Sequence, residues 1–425
     1  MEIRNIRWPE ERDAIAEHIR LVHGSGDSDF LMRWYGGFPG FDPADCFVIE
    51  GEHGEIAAHA MLIPRAIQIG VSTLPASEIG VVGTLETYRG CGYASALIEH
   101  ALARMTERGD ALGLIFGIPN FYERWGFEYA VGLYLTSYES EIAVEQALSA
   151  GKWDMHHSHH RRTAAHLGMR GREVEVRRFY SSDLTGVMAL YQAESVRGHY
   201  LIARDQPTWD WQLQFLADIG RYDPDDFLVA EVDGELRAYV RVVSRGQINW
   251  FRENEAARFS IIESGGTDAD ATEALLGAVA QLAHDYGADR IGVFVHPESQ
   301  MMRHVLAHGG LRRDFTGAGF LRLHDLSALA DLLKPALEDR RLNSRFAGRG
   351  FQLILSTGDS TAAVQLGEGA EEVRLEIPAV DLIRLVTGWF GIDDLPGDYY
   401  SEPHKDVLRV LFPKREPRIG LADIL

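Results

Sequence analysis

A diverged internal repeat restricts the folds open to this chain. Residues 42–58 (DPADCFVIEGEHGEIAA) resemble residues 223–238 (DPDDFLVAEVDGELRA). Each stretch predicts a strand, a tight glycine turn and a second strand, which is the pattern of a β-hairpin. The similarity returns later, where residues 109–119 (GDALGLIFGIP) match residues 287–297 (GADRIGVFVHP). The chain is therefore predicted to contain two copies of one mixed α/β unit.

A helix precedes the second matching segment in each copy. Apolar residues recur at three- and four-residue spacing over about 93–108 and 271–286, which predicts amphipathic helices there. The 425 residues also exceed what one hydrophobic core usually supports. We expect a first unit at 1–150, a polar linker at 151–171, a second unit at 172–324 and a smaller α+β domain at 325–425.

The last part has its own pattern of elements. An amphipathic helix is predicted from a capping Asp325, and Pro335 is expected to end or kink it. Strands are then expected at 351–356, 362–366 and 373–377, a helix at 379–389 and a last strand at 407–412.

The charge balance restricts the partners. With 42 Lys and Arg against 63 Asp and Glu, the formal net charge is −21. Nucleic acid and anionic membranes attract basic surfaces, so neither is an expected partner. An acidic cleft would favour a cationic ligand, although acidity that serves only solubility would give the same composition.

Cysteines and histidines do not predict a metal site. Cys46 and Cys91 form no disulfide framework and lack metal-ligand spacing. The run His156–His160 lies in the polar linker without carboxylate or thiol ligands nearby, so a solvated linker is expected there. No stretch is apolar enough to insert into a membrane, and the N-terminus lacks the apolar centre of a secretory signal. We therefore expect a cytoplasmic protein without metal.

A glycine-rich turn, residues 89–94 (RGCGYA), lies between a predicted buried strand at 81–85 and the helix at 93–108. Glycines let a ligand approach the backbone, and free N–H groups at a helix start attract anions. Arg89 would add a charged donor to a phosphate. Glycine also caps many helices without any ligand, so the turn alone is a weak signal. Cys91 has no adjacent histidine, and we interpret it as a spacer rather than a nucleophile.

The second unit serves as an internal control for this turn. Matching Gly109 with Gly287 places Arg89, Gly90 and Gly92 opposite Thr267, Asp268 and Asp270. Two carboxylates suit the positive end of a helix but would repel a phosphate. The fold is thus predicted to be repeated, whereas the anion site is not.

Tyr122 follows the strand predicted at 112–118 and is expected on a short helix facing the same cleft as the turn. A phenol there could act as a general acid toward a departing thiolate. The alternative is that Phe121, Tyr122, Trp125 and Phe127 form only a core cluster. The counterpart of Tyr122 in the second unit is Gln300, which cannot serve as this acid.

Together these elements resemble the GNAT acetyltransferase superfamily. The resemblance rests on residues 81–84 (VVGT), 89–94 (RGCGYA) and 120–127 (NFYERWGF), which fit its acetyl-CoA strand, its R-x-x-G-x-A loop and its Tyr-x-x-x-Gly-Phe segment. It implies an α/β (α+β) fold of mixed, mostly antiparallel sheets with flanking helices, and acetyl-CoA as co-substrate.

The resemblance also implies roles for individual residues. Tyr122 would protonate the CoA thiolate, and the C-terminal carboxylate of Leu425 would help to deprotonate the acceptor amine. Relatives often end in an aromatic residue rather than Ile-Leu, and their loops often hold more arginines, which implies weaker CoA affinity here. The implied cofactor-binding residues are Val82, Gly83, Thr84, Arg89, Gly90, Cys91, Gly92, Tyr93, Ala94, Ser95 and Asn120.

The three-part layout resembles the enhanced intracellular survival (Eis) acetyltransferases. In that family a degenerate second GNAT unit precedes a domain similar to sterol carrier proteins. The resemblance implies a hexamer and a primary amine of an aminoglycoside-, polyamine- or lysine-like acceptor.

The acceptor side is expected after the first helix. Asp27, Trp34 and Tyr35 lie there, and carboxylates beside aromatic rings suit a polycation, although an ordinary acidic loop with buried aromatics would look the same. A second possible function belongs to another class, a non-catalytic sensor of acyl-CoA or lipid. The presence of Tyr122 favours the enzyme, since a sensor needs no proton donor.

Overall fold

The computed structural model describes residues 2–24, 28, 31–118, 120–133, 140–149, 154–158, 161–167, 173–197, 200–218, 226–243, 259–312, 317–358, 360–420 and 423. Its strands are β1 Ile3–Asn5, β2 Cys46–Glu50, β3 Ile56–Ile69, β4 Ser72–Thr84, β5 Leu112–Ile115, β6 Glu128–Leu133, β7 Ser140–Ala143, β8 Asp154–Ser158, β9 Arg161–Leu167, β10 Glu173–Arg178, β11 Tyr200–Ile202, β12 Phe227–Val232, β13 Glu235–Val243, β14 Ser260–Gly266, β15 Arg290–Val293, β16 Leu311–Arg312, β17 Gly317–Leu323, β18 Phe351–Thr357, β19 Ser360–Leu366 and β20 Glu371–Glu376. Its α-helices are α1 Arg12–His23, α2 Tyr93–Arg108, α3 Val144–Ser149, α4 Leu184–Val196, α5 Gln206–Asp218, α6 Ala269–Asp285, α7 Gln300–Ala307, α8 Leu326–Leu342, α9 Ala379–Thr387 and α10 Lys405–Leu411.

Two large mixed sheets confirm the repeat. The first has the strand order β1-β2-β3-β4-β5-β17-β6, and β11 also pairs with β3. The second has the order β10-β12-β13-β14-β15-β7-β16, extended beyond β10 by β9 and β8. In both repeats the chain forms a hairpin of two antiparallel strands and then a third antiparallel strand. A helix follows, and after it a strand that pairs parallel with the third. Each hairpin also carries a register shift at the same place, after Ile49 and after Ala230.

Each sheet includes a strand from the other repeat. Strand β17 pairs with β5 in the first sheet, with Phe320 opposite Ile115. Strand β7 pairs with β15 in the second sheet, with Ile142 opposite Ile291. The compact units are accordingly discontinuous: one holds residues 1–131, 202–211 and 318–415, and the other holds residues 132–201, 212–317 and 416–425. The boundaries expected at 150 and 172 stay predictions.

Both faces of the first sheet are covered. Neighbouring residues of β3 point to opposite faces, and the residues on each face belong to a different buried cluster. Ala58, Ala60 and Leu62 belong to a buried cluster with Leu97 and Met105 of α2. Met61 and Ile63 belong to a second cluster that includes Ile15 and Ile19 of α1. Helices α1 and α2 therefore lie on opposite faces of the sheet.

The segment expected to be a linker contains two strands instead. Strands β8 and β9 pair antiparallel, with His156 opposite Thr163, and β9 pairs with β10. Polar side chains concealed the strand pattern, because period-two alternation of apolar residues is the main sequence signal for a strand. The side chains of the run His156–His160 lie outside the described part of the structure.

The C-terminal part confirms the three predicted strands, which form a sheet of order β19-β18-β20. Helix α8 begins after Asp325, whose side chain accepts a hydrogen bond from the Ala328 amide (2.9 Å). It continues past Pro335 to Leu342, so Pro335 does not end it, and the predicted alternative of a kink stays a prediction. The next amide, of Ala336, donates to Ser72 Oγ (3.1 Å), which gives this backbone group a partner outside the helix.

The strand predicted at 407–412 is wrong, because these residues lie on or next to helix α10. Val407, Leu408 and Leu411 are buried, which is the spacing of one helix face. A short apolar run cannot distinguish the two structures by itself. The likeness of this domain to sterol carrier proteins stays a prediction. Among the described residues, no helix combines the length and apolarity that a membrane crossing requires.

We expect the replacement Phe320→Ala to destabilise the first unit. Phe320 is buried in the cluster of α2, and its ring centroid lies 4.2 Å from that of Tyr129. Removing a buried phenyl ring costs about 3–5 kcal/mol. Urea denaturation should show an earlier first transition than in the wild type, and Phe320→Leu should retain most of the stability. An unchanged transition in Phe320→Ala would contradict the assignment of β17 to the first core.

Candidate functional site

The site begins where strand β4 loses one of its two neighbours. Pairing of β4 with β5 runs from Ala76 to Glu78, and β5 ends at Ile115. From Ile79 to Thr84, strand β4 pairs only with β3 within the described residues. This part of β4 therefore has one edge without a strand partner, and such an edge can bind an extended ligand.

A bulge in β4 lies at the same place. His59 pairs with Gly83 and Met61 with Gly80, so Val81 and Val82 together oppose one residue of β3. Val81 has a φ of 50°. That conformation is costly for a β-branched residue and is typical of functional sites. Val82 packs against the hydrophobic cluster of α2. The Thr84 hydroxyl is buried and has no hydrogen-bond partner among the described residues.

The glycine turn opens helix α2 without a capping side chain. Gly90 and Gly92 have φ of 82° and 80°, a region that favours glycine. Gly92 is the N-cap residue and has no side chain that could accept a hydrogen bond. The first N–H groups of α2 therefore have no side-chain cap. A Cβ atom at either glycine would meet no atom within 4 Å. Arg89 and Cys91 are exposed beside them. The turn thus presents uncapped N–H donors to an open space.

Tyr88 fixes the position of this turn. Its hydroxyl donates to Glu55 Oε1 (2.5 Å) and accepts from the Glu52 amide (3.0 Å). Its ring stacks on Tyr93, the first residue of α2, with centroids 5.8 Å apart. The hydrogen bond to the Glu55 carboxylate raises the pKa of Tyr88. Sequence analysis missed both residues, because only the fold brings the hairpin next to the turn.

Tyr122 is the N-cap residue of a short 3-10 helix, Glu123–Trp125. Its side chain is 6% exposed and packs so close to Gly117 that a Cβ there would come within 2.0 Å of the ring. Burial raises the pKa of the Tyr122 phenol, which therefore stays protonated at neutral pH. Just before it, Asn120 adopts a φ of 62° and its amide donates to Glu123 Oε1 (2.9 Å). The phenol thus has a fixed position and a proton to give.

At the corresponding positions of the second unit, the side chains form hydrogen bonds within that unit. The side chain of Asp268 caps helix α6 by accepting from the Ala271 amide (3.1 Å). Gln300 Oε1 accepts a hydrogen bond from Thr272 Oγ1 of the same helix (3.1 Å). As N-caps, Gly92 and Asp268 are equivalent, which moves the earlier alignment by two residues. The contrast between glycine and carboxylate is unchanged by this shift.

Of the three residues predicted to bind the acceptor, the structure describes Trp34 and Tyr35. Trp34 and Tyr35 are 4% and 5% exposed and belong to the core cluster beneath α1. The Arg65 guanidinium lies 5.0 Å from the Trp34 ring centroid and forms a buried ion pair with Glu78 (2.7 Å). Asp27 and Leu425 lie outside the described residues.

Sequence analysis also missed a buried histidine cluster next to the bulge. His18 and His59 are 2% and 1% exposed, with ring centroids 4.7 Å apart, and His23 lies 6.2 Å from His59. His18 Nδ1 donates to the Ile56 carbonyl (2.6 Å). The His59 ring occupies the space where a side chain of Gly83 would be. Burial lowers the pKa of both His18 and His59, and the neighbouring histidines add to the effect.

Residues 2–130 match the family model of the acetyltransferase (GNAT) domain. The chain therefore contains a GNAT acetyltransferase domain. Members of this family are acyltransferases that take an acyl group from a CoA thioester, and the bulged strand, the glycine turn and Tyr122 all lie within the matched range. No significant match was found among curated proteins.

Solved structures share the fold over nearly the whole chain. The GCN5-related N-acetyltransferases from Anabaena variabilis and Kribbella flavida are each 16% identical, with TM-scores of 0.64 and 0.65. The alignments cover 98% of this chain and 98% and 99% of those chains. Eis1 from Mycobacterium abscessus is 16% identical, with a TM-score of 0.58 and 98% coverage of both chains. The GNAT domain thus occurs in a larger architecture that these proteins share.

We expect Gly92→Ala to weaken CoA binding more than it weakens folding. Gly109 ends the same helix at a φ of 73°, and a Cβ there would also meet no atom within 4 Å. Gly109→Ala therefore reproduces the backbone strain, roughly 1 kcal/mol, away from the turn. Calorimetric titration with CoA should show a clear loss of affinity for Gly92→Ala alone. Equal affinities of the two variants would argue against the turn as the phosphate site.

The histidine cluster predicts a loss of stability in acid. Because the folded pKa values of His18 and His59 lie below the unfolded value of about 6.5, the unfolded state binds more protons there. The free energy of unfolding should therefore fall as the pH decreases below about 6.5, by at most about 1.4 kcal/mol per pH unit for each histidine. Chemical denaturation at pH 7, 6 and 5 measures this slope. His59→Leu should reduce it, and an identical slope in that variant would contradict the prediction.

Proposed function

We propose that this protein transfers the acetyl group of acetyl-CoA to a primary amine of a cationic acceptor, by direct transfer in a ternary complex. The observation that carries the proposal is the difference between the two units. They share one fold, but within the described residues the first unit has a glycine N-cap without a capping side chain, and a buried tyrosine, Tyr122, directly before the turn Glu123–Trp125. The second has Asp268 and Gln300 at these places, each bonded to helix α6.

The residues of the first unit fit the co-substrate. Backbone groups of Val82, Gly83 and Thr84 would bind the pantetheine arm along the free edge of β4, and the buried Thr84 hydroxyl offers a further hydrogen bond. Asn120 would bind the same arm. The turn from Arg89 to Ser95 would hold the diphosphate through its N–H groups and the helix dipole. When bound, acetyl-CoA supplies a thioester that an amine can attack.

Tyr122 would then act as the general acid. Its O–H gives its proton to the sulfur of the departing thiolate, while the amine loses a proton as it forms the amide bond. We propose the C-terminal carboxylate of Leu425, directly or through water, as the acceptor of that proton. Backbone N–H groups at the bulge would stabilise the negative oxygen of the intermediate.

The acceptor is proposed from charge. The net charge of −21 favours the approach of aminoglycoside-, polyamine- or lysine-like amines. Asp27 would supply a carboxylate, whereas the buried Trp34 and Tyr35 would form the wall behind the acceptor. We further propose a cytoplasmic homo-oligomer, a hexamer by resemblance to the Eis family.

We expect Tyr122→Phe to lower the rate of thiol release by about 100-fold or more while CoA affinity stays within twofold. The assay uses acetyl-CoA with a panel of aminoglycosides, polyamines and lysine peptides. Tyr129→Phe is the matched control, since Tyr129 packs on the same Phe320 ring and has no proposed chemical role. Amidation of the C-terminus in the same assay tests Leu425.

One result would overturn the enzyme and favour the non-catalytic sensor of acyl-CoA or lipid. In that result CoA binds, no acceptor in the panel releases thiol, and Tyr122→Phe behaves as the wild type.

A further inference from the structure

Arg124 has an unusual environment next to the glycine turn. Its guanidinium lies 4.0 Å from the centroid of the Trp125 ring and 4.4 Å from that of Phe121. Two aromatic contacts hold a long side chain in place without occupying its N–H groups. The residue is exposed, so these N–H groups are open to a ligand.

No carboxylate neutralises this cation among the described residues. The adjacent Glu123 has one oxygen bonded to the Asn120 amide instead. Two other arginines of this unit, by contrast, have carboxylate partners: Arg104 pairs with Asp45 (2.8 Å) and Arg65 pairs with Glu78 (2.7 Å). A guanidinium has five N–H donors, and Arg124 uses one of them within the described structure.

That one hydrogen bond shows where the guanidinium points. Arg124 Nη2 donates to the hydroxyl of Ser95 (3.3 Å), 29 residues earlier in the chain. Ser95 lies in the first turn of α2, directly after the uncapped N–H groups of the glycine turn. The charge of Arg124 and the positive end of the helix therefore meet at one place.

The second unit again supplies a comparison. Counted from Gly109 and Gly287, the position of Arg124 is taken by Met302, which is buried in the core of that unit. Replacement of the arginine by a methionine therefore accompanies replacement of the glycine N-cap by Asp268. The cation and the uncapped turn occur together in one unit and are absent together from the described part of the other.

We propose that Arg124 binds the diphosphate of CoA as a second cation beside Arg89. The inference rests on the proposed use of acetyl-CoA. It also explains how a turn with Gly90 and Cys91 in place of further arginines can bind a dianionic group. The guanidinium would pair with phosphate oxygens through two parallel N–H groups and move from Ser95 as the ligand binds.

The test compares Arg124→Met with the wild type in calorimetric titrations of CoA and of 3′-dephospho-CoA. Both dissociation constants should rise by about 10- to 100-fold, because one charge-assisted contact to the diphosphate is lost. Arg124→Lys keeps the charge but not the two-pronged contact and should give a smaller loss. The thermal midpoint of each variant checks the fold.

Three results would overturn the proposal. The first is wild-type affinity for CoA in Arg124→Met. The second is weakened binding of CoA but not of 3′-dephospho-CoA, which would place Arg124 at the 3′-phosphate. The third is that kcat/KM of Arg124→Met falls as much with S-acetylpantetheine, which lacks the diphosphate, as it falls with acetyl-CoA. If the wild-type protein does not bind CoA at all, the proposed function fails as well, whereas unchanged binding in the variant removes only this inference.

Discussion

The geometry of the site depends on where strand β4 stops pairing with β5. From Ala76 to Glu78 it pairs with a strand on both edges, and beyond Glu78 it pairs only with β3 within the described residues. Backbone groups on this edge of β4, which a neighbouring strand would otherwise pair with, can thus bind a ligand. The strained Val81 and the buried histidines lie at the same bulge, so this edge is part of a constrained structure.

Divergence between the two units separates fold from chemistry. Both keep the hairpin, the helix and the parallel strand, and both keep the hairpin's register shift. They differ at the helix start, where a glycine leaves the N–H groups without a side-chain cap in one unit and an aspartate accepts a hydrogen bond from one of them in the other. The comparison shows that this fold does not require the open turn, which strengthens its interpretation as a binding feature.

The placement of β17 links distant parts of the chain to the site. Its Phe320 packs in the cluster that contains Tyr122, and its Arg322 donates to the carbonyl of Trp125 (2.8 Å). The segment that carries the proposed acid is therefore held by residues about two hundred positions later. A first repeat cut from the chain would lack this support.

The sequence by itself determined the repeat, helix α2, the three C-terminal strands and the residues of the turn, because these depend on local periodicity and on glycine at defined positions. It failed at helix α10 and at strands β8 and β9, where the local pattern was ambiguous or concealed by polar residues. It also missed the support of the turn by Tyr88 and Glu55, which depends on contacts between distant segments. Only the tertiary structure decided that β7 pairs with β15 and β17 with β5. It also decided the burial of Trp34 and Tyr35 and the position of Arg124 beside Ser95. Strand pairing and side-chain contacts between distant segments depend on how the whole chain packs, and no window of sequence contains that information.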